Sequence, residues 1–140
     1  MNWKKEIDEM TQRRKLALGQ GGDQAVAKHH AKGRLTIRER IDKLIDQNTF
    51  EEIGPIAGAA NYDENDNLES FDPANFVLGF GKVSGRRIVV GGEDFTMRGG
   101  SPSPAGLRKS VYAEEIAIQY KLPLVRLHEG SGGSVGGTSG

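Results

Sequence analysis

At 140 residues, with 36% hydrophobic residues, 27% charged residues and a net charge of zero, the chain has the dimensions of one soluble globular domain. No apolar run approaches the ~18 residues of a membrane span and no secretory signal precedes Trp3, which predicts a cytoplasmic protein without membrane contact. Zero cysteines exclude disulfides and thiolate zinc sites, and three histidines, two of them adjacent, make a poor ligand set, so no metal is expected.

The balanced charge conceals a basic arm: residues 1–50 carry eleven Lys/Arg against seven Asp/Glu, and residues 51–75 carry seven acids and no base. Such an arm suits a solvated helix face or a phosphorylated small molecule, and without interleaved aromatics it does not predict nucleic-acid binding. Trp3, Ile7 and Met10 at i, i+4, i+7 predict a surface helix over 3–18, which "GQGGD" at 19–23 ends. Thr36 and Glu39 form a capping box that starts a second helix, with Ile37, Ile41, Leu44 and Ile45 as its buried face. "FEEIGPIAGAA" reads as an extended segment that Pro55 confines to an edge or a bend. The polar, acidic 61–75 reads as an exposed loop.

"FVLGFGKV" and "RRIVVGGEDF" then read as two strands of a hairpin turning at Ser84-Gly85. Ser103 and Pro104 give an N-cap followed by proline at the first helical position, and Leu107, Val111 and Ile118 keep helical spacing to Tyr120. "KLPLVRL" returns as a buried strand. The order helix, helix, strand, hairpin, helix, strand is a ββα unit followed by the opening of another, an α/β layered fold.

Two glycine clusters follow strands, Gly99-Gly100 and Gly132-Gly133, where backbone without a β-carbon can bring N–H groups around an anionic oxygen. The P-loop spacing fails, because Gly106 stands one residue too far from Gly100 and Lys109 follows no glycine. The dinucleotide fingerprint fails at Val135 and at Ser84. Gly132-Gly133-Ser134-Val135-Gly136 does fit the G-x-S-x-G elbow of serine hydrolases, with Ser134 as nucleophile, yet no acid or histidine follows it.

Taken together, "HAKGRLTIRERIDKLID", "GEDFTMRGGSPSPAGLRKS" and "AIQYKLPLVRLHEGSGGSVGG" resemble, over about residues 26–137, the N-terminal domain of the carboxyltransferase (beta) subunits of biotin-dependent acyl-CoA carboxylases. The resemblance implies an incomplete crotonase-like superhelix of ββα units, with a helical arm at 1–48 and the truncated start of the carboxyltransferase domain at 49–140. It implies transfer of a carboxyl group from carboxybiotin to an acyl-CoA through an enolate held by backbone amides, with Gly132 and Gly133 as the oxyanion hole. It implies Lys32, Arg34, Arg38, Gly99 and Gly100 as contacts to coenzyme A, biotin carried on a partner subunit with biotin carboxylase, and a hexamer for the complete subunit.

Glu129, Asp94 and the solvated His29 and His30 are expected to have no catalytic part. His128 departs from the aspartate that many members of that family carry before the serine and glycines. The length predicts an N-terminal piece of a longer chain, inactive and weakly stable alone. A serine-hydrolase fragment and a non-catalytic acyl-CoA-binding remnant are the rival readings.

Overall fold

The computed structural model describes residues 2–130. They form helices α1 (Lys4–Leu18), α2 (Asp23–Ala31), α3 (Ile37–Leu44) and α4 (Pro104–Tyr120) and strands β1 (Glu51–Glu52), β2 (Gly58–Tyr62), β3 (Leu68–Pro73), β4 (Phe76–Val83), β5 (Arg86–Glu93) and β6 (Leu124–Leu127). A four-stranded sheet runs β1-β4-β5-β6, antiparallel except for the β5–β6 pair, and β2-β3 make a separate hairpin. The α/β class and the β4–β5 hairpin follow the expectation from sequence.

The sheet is sandwiched between helices, and strand alternation divides its two faces. Val77, Ile88 and Val90 meet Ile37, Ile41 and Ile45 on the α3 side. Phe76, Leu78 and Val89 meet Ala113, Ile116 and Ala117 on the α4 side. Both central strands therefore bury two faces, which explains why "FVLGF" and "IVVGG" are apolar runs rather than alternations. Glycine completes the fit: a Cβ on Gly81 would stand 2.9 Å from Ile45 Cγ2, too close for any side chain there.

Local chemistry fixes where the elements start and stop. Thr36 Oγ1 accepts from Glu39 N at 3.3 Å while the Glu39 carboxylate accepts from Thr36 N at 3.4 Å, the reciprocal box that opens α3. Ser103 Oγ accepts from Gly106 N at 3.1 Å and Pro104 opens α4. The hairpin turn places Ser84 and Gly85 at φ 51° and 78°, and their N–H groups donate to the two carboxylate oxygens of Asp46 at 2.9 and 2.7 Å. Asp46 thereby ties the end of α3 to the hairpin tip.

Several expectations need correction. The segment 61–75 is not a loop throughout: β3 crosses it, Phe71 is buried, and Asn75 is only 2% exposed. Alternation had no chance to show there, because β3 buries one residue among polar ones. A further helix, α2, lies between "GQGG" and Thr36; it is short and carries little apolar periodicity. On α4 the buried face is Lys109, Ala113, Ile116 and Ala117, whereas Leu107, Val111 and Ile118 are exposed. The Trp3, Ile7 and Met10 stripe is likewise exposed, as a surface helix allows. α1 is held instead by Arg13, which lies over the rings of Tyr62 and Phe71 at 5.9 and 5.3 Å, and by Tyr62 Oη donating to Glu9 at 2.7 Å.

Candidate functional site

β5 and β6 run parallel, so their carboxyl ends open on the same edge of the sheet, where α/β folds place their ligands. The loop "DFTMRGGS" leaves β5 and "HEG" leaves β6. A cleft of about 370 Å³ lies beside these two exits, lined by Glu93, Gly100, Arg126, His128 and Gly130 among others.

The two loops are locked to each other through backbone. Gly100, at φ 77°, packs on the carbonyl of Glu129: a Cβ there would overlap that oxygen and stand 3.1 Å from Gly130 Cα. Glu129 N donates to Glu93 Oε2 at 3.2 Å, and the same carboxylate takes Arg126 at 3.6 Å and His128 at 3.2 Å. The Glu129 side chain faces two arginines of the arm, Arg40 at 3.7 Å and Arg34 at 4.0 Å, and the His29 ring at 3.7 Å. Arg40 also donates to the carbonyl of Leu127 at 3.4 Å. Glu129 is thus the anchor of the chain as it leaves β6, the structural part expected of it.

The β5 loop has its own supports. Asn75 Nδ2 donates to Ser101 O at 2.6 Å, and its Oδ1 accepts from Ser103 N and Oγ at 3.0 and 3.1 Å. Asp94 accepts from Thr96 N at 3.0 Å and Thr96 Oγ1 at 2.5 Å, and burial pushes its carboxyl above the usual range despite those bonds. Thr96 Oγ1 in turn accepts from Gly21 N at 3.0 Å, and any Cβ on Gly21 would overlap the Thr96 carbonyl. The glycines of "GQGG" therefore do more than end α1: they admit the "DFT" turn. Asn75 was missed in sequence because it sits amid acids and turn residues, and only its place one residue before a strand hints at its role.

Of the residues singled out for coenzyme A, Lys32 is exposed at the C-cap of α2. Arg34 stacks over Phe95 at 5.3 Å with its side chain 47% exposed, beside Glu129. The Arg38 guanidinium grips Glu52 in two bonds of 3.0 and 2.7 Å, and its side chain is 19% exposed. Gly99 and Gly100 both have positive φ, at 58° and 77°. Gly100 uses that freedom to approach Glu129, and not a turn alone. His29 is corrected: it is 4% exposed, with its ring against Phe95 at 5.6 Å and Nε2 3.0 Å from Leu35 O. His30 is solvated and pairs with Glu39 at 2.5 Å, which with Thr36 holds the Glu39 carboxyl below the usual range. Among the described residues no cluster of three metal-ligating side chains occurs, and no helix is long and apolar enough to cross a membrane. Gly132, Gly133 and Ser134 lie outside the described residues.

Lys109 was not foreseen at all. It sits 9% exposed on the buried face of α4, its ammonium donating to Gly54 O at 3.2 Å, and burial pulls its pKa down to about 8, opposed in part by Glu52. Nothing in its sequence surroundings distinguishes it from a surface lysine.

Comparison with known proteins gives the same family as the residues. Residues 28–138 match the carboxyl transferase domain. A probable biotin-dependent acyl-coenzyme A carboxylase beta2 subunit of Mycobacterium tuberculosis is 37% identical over 128 residues, 91% of this chain and 23% of that protein. The propionyl-CoA carboxylase beta chain of Saccharopolyspora erythraea is 34% identical over 132 residues, 93% of this chain and 24% of that one. The chain spans about a quarter of the length of these relatives. Among solved structures, transcarboxylase 12S superimposes with a TM-score of 0.80 at 24% identity over 99% of this chain and 27% of its own, which bears on fold alone. A single-chain, multi-domain long-chain acyl-CoA carboxylase superimposes at 0.73 with 30% identity, covering 96% of this chain and 14% of that one. These relatives support the crotonase-like carboxyltransferase reading and not the serine-hydrolase one. With both loops at the carboxyl edge of β5 and β6 and the matched segment running from α2 to beyond β6, the chain belongs to the carboxyl transferase domain family.

Proposed function

We propose that the chain supplies part of the carboxyltransferase site of a biotin-dependent acyl-CoA carboxylase, which moves a carboxyl group from carboxybiotin to the α-carbon, or its vinylogous position, of an acyl-CoA. The observation that carries this reading is the backbone lock between Gly100 and Glu129, which brings both glycine-bearing loops to one edge of the sheet. Abstraction of the α-proton puts negative charge on the thioester oxygen, and backbone N–H donors fixed in advance stabilise that charge without reorganising. Gly132 and Gly133 are assigned that part, two and three residues past Gly130.

No base is assigned among the side chains of this segment: the ureido nitrogen of biotin, freed as its carboxyl group leaves, would take the α-proton. Biotin, borne on a partner subunit, supplies the carboxyl group when bound, and Lys32, Arg34, Arg38, Gly99 and Gly100 are assigned to coenzyme A. The arm at 1–48 and the start of the carboxyltransferase domain at 49–140 work as one piece, because α3 of the arm buries Ile37 and Ile41 in the sheet core. Hexameric assembly of the complete subunit and a cytoplasmic setting belong to the same proposal. The test is carboxyl exchange between an acyl-CoA and free biotin by the complete carboxylase carrying this segment. Labelled carboxyl appearing in the acyl-CoA supports the proposal. Absence of exchange, with labelling of Ser134 by a fluorophosphonate, overturns it in favour of the hydrolase.

A further inference from the structure

The helical arm meets both of the loops that leave β5 and β6, and two of its side chains each touch both. His29 in α2 packs its ring against Phe95 of the β5 loop at 5.6 Å and sets Nε2 3.7 Å from the Glu129 carboxylate of the β6 loop. Arg34 lies over the same Phe95 ring at 5.3 Å and pairs with the same carboxylate at 4.0 Å. Arg40 of α3 holds the β6 exit twice, donating to the carbonyl of Leu127 at 3.4 Å and pairing with Glu129 at 3.7 Å.

These arm side chains are themselves fixed from the sheet core. The His29 ring is 4% exposed, and because Leu35 O can only accept, the 3.0 Å contact makes Nε2 the donor and orients the ring. Leu35 precedes Thr36, the cap of α3, and Ile37 and Ile41 of that helix are each 1% exposed against the sheet. The arm therefore takes its position from the centre of the fold and not from the loops it touches. Glu129 is sheltered as well, with a side chain 22% exposed, so its pairing with Arg40 is screened less than a pair at the open surface. Gly132 follows Glu129 by three residues. Gly100 packs on the Glu129 carbonyl, so whatever fixes Glu129 fixes both loops.

We infer that Arg40 and Glu129 are positioning residues for carboxyl transfer: through them the arm clamps the β5 and β6 loops and sets where the backbone N–H donors after Glu129 stand. The chemistry of this inference rests on the carboxyltransferase reading above, and the clamp does not. Its effect runs through geometry alone, where misplacement by about 1 Å can cost about a hundredfold in rate. Arg34 is left out of the test because, as a residue assigned to coenzyme A, its loss would act on binding too.

The experiment is a double-mutant cycle in the complete carboxylase carrying this segment, with Arg40→Gln, Glu129→Gln and the two together, read as kcat and KM for the acyl-CoA in carboxyl transfer. Each single substitution is expected to lower kcat about tenfold with KM nearly unchanged, and the double variant to lie within about threefold of the slower single, because both break the same contact. Arg40→Lys, which keeps the charge, is expected to retain more of kcat than Arg40→Gln. Single variants that turn over at the parent rate, losses that multiply, or losses confined to KM overturn the inference. Hydrogen exchange on the same proteins reads the clamp without the chemistry. The amides of Glu129 and Gly100, which donate to Glu93 and to Met97 O, should exchange about tenfold faster in both single variants while those of β4 keep the parent's rates. Unchanged exchange at Glu129 and Gly100, or a loss of protection that reaches β4 equally, overturns the clamp. A parent enzyme without carboxyl transfer overturns the proposed function instead, and hydrogen exchange then decides the clamp by itself.

Discussion

Gly100 touches Glu129 backbone to backbone, 29 positions apart, where the loops leaving the parallel strands β5 and β6 meet. Alanine at 100 meets two penalties, overlap with the Glu129 carbonyl and a side chain at φ 77°. Each strained position of this kind costs about 1–3 kcal/mol. Gly100→Ala is expected to lower the urea midpoint accordingly and, in the complete enzyme, to reduce kcat more than it raises KM. A protein as stable and as active as the parent would show that the lock positions nothing.

Asn75 holds the start of α4 from the sheet. Asn75→Ala removes three hydrogen bonds of a buried side chain and is expected to destabilise by about 2–3 kcal/mol. Ser103→Ala, which loses only the cap and one of those bonds, should cost about 1 kcal/mol. Chemical denaturation of the two variants checks the order; equal losses would mean that Asn75 contributes nothing beyond the cap.

Lys109 gives the fold a pH dependence on the alkaline side. An unfolded chain holds this proton to 10.5, and the folded one releases it near 8, so between those values the unfolded state binds more protons and stability rises with pH. Below pH 8 both states are charged and the full burial cost, about 3 kcal/mol, is present. Lys109→Met should therefore raise the melting temperature at pH 7, by the equivalent of about 1–2 kcal/mol once the lost bond to Gly54 is set against it, and the gain should shrink toward pH 10. A variant less stable than the parent at pH 7 would show that the ammonium is held by more than Gly54.

Much of the frame could be read from residues whose effect is local. The capping box of Thr36 and Glu39, the Ser84-Gly85 turn and the Ser103-Pro104 start act within four positions, and each element begins where they place it. Burial decided by distant partners was not legible. His29 is in polar company in the sequence and is buried only because Phe95 and Glu129 come to it. The partner of Arg38, Glu52, is 14 positions away and carries no local signal. α4 presented Leu107, Val111 and Ile118 at helical spacing, but it is Ala113, Ile116 and Ala117 that pack on the sheet. At the site, the glycine clusters were visible as glycine, while the pairing of Gly100 with Glu129 needed the parallel placement of β5 and β6.

The most direct test of the proposed chemistry is the kinetics of Gly132→Val in the complete carboxylase, with carboxyl transfer from biotin to acyl-CoA as the readout. Losing one fixed oxyanion donor costs about 2.7–4 kcal/mol of barrier, so kcat should fall by about 10²–10³ with KM for the acyl-CoA nearly unchanged. A Gly132→Val enzyme that turns over at the parent rate would contradict the assignment of the carboxyl-transfer oxyanion hole to this loop.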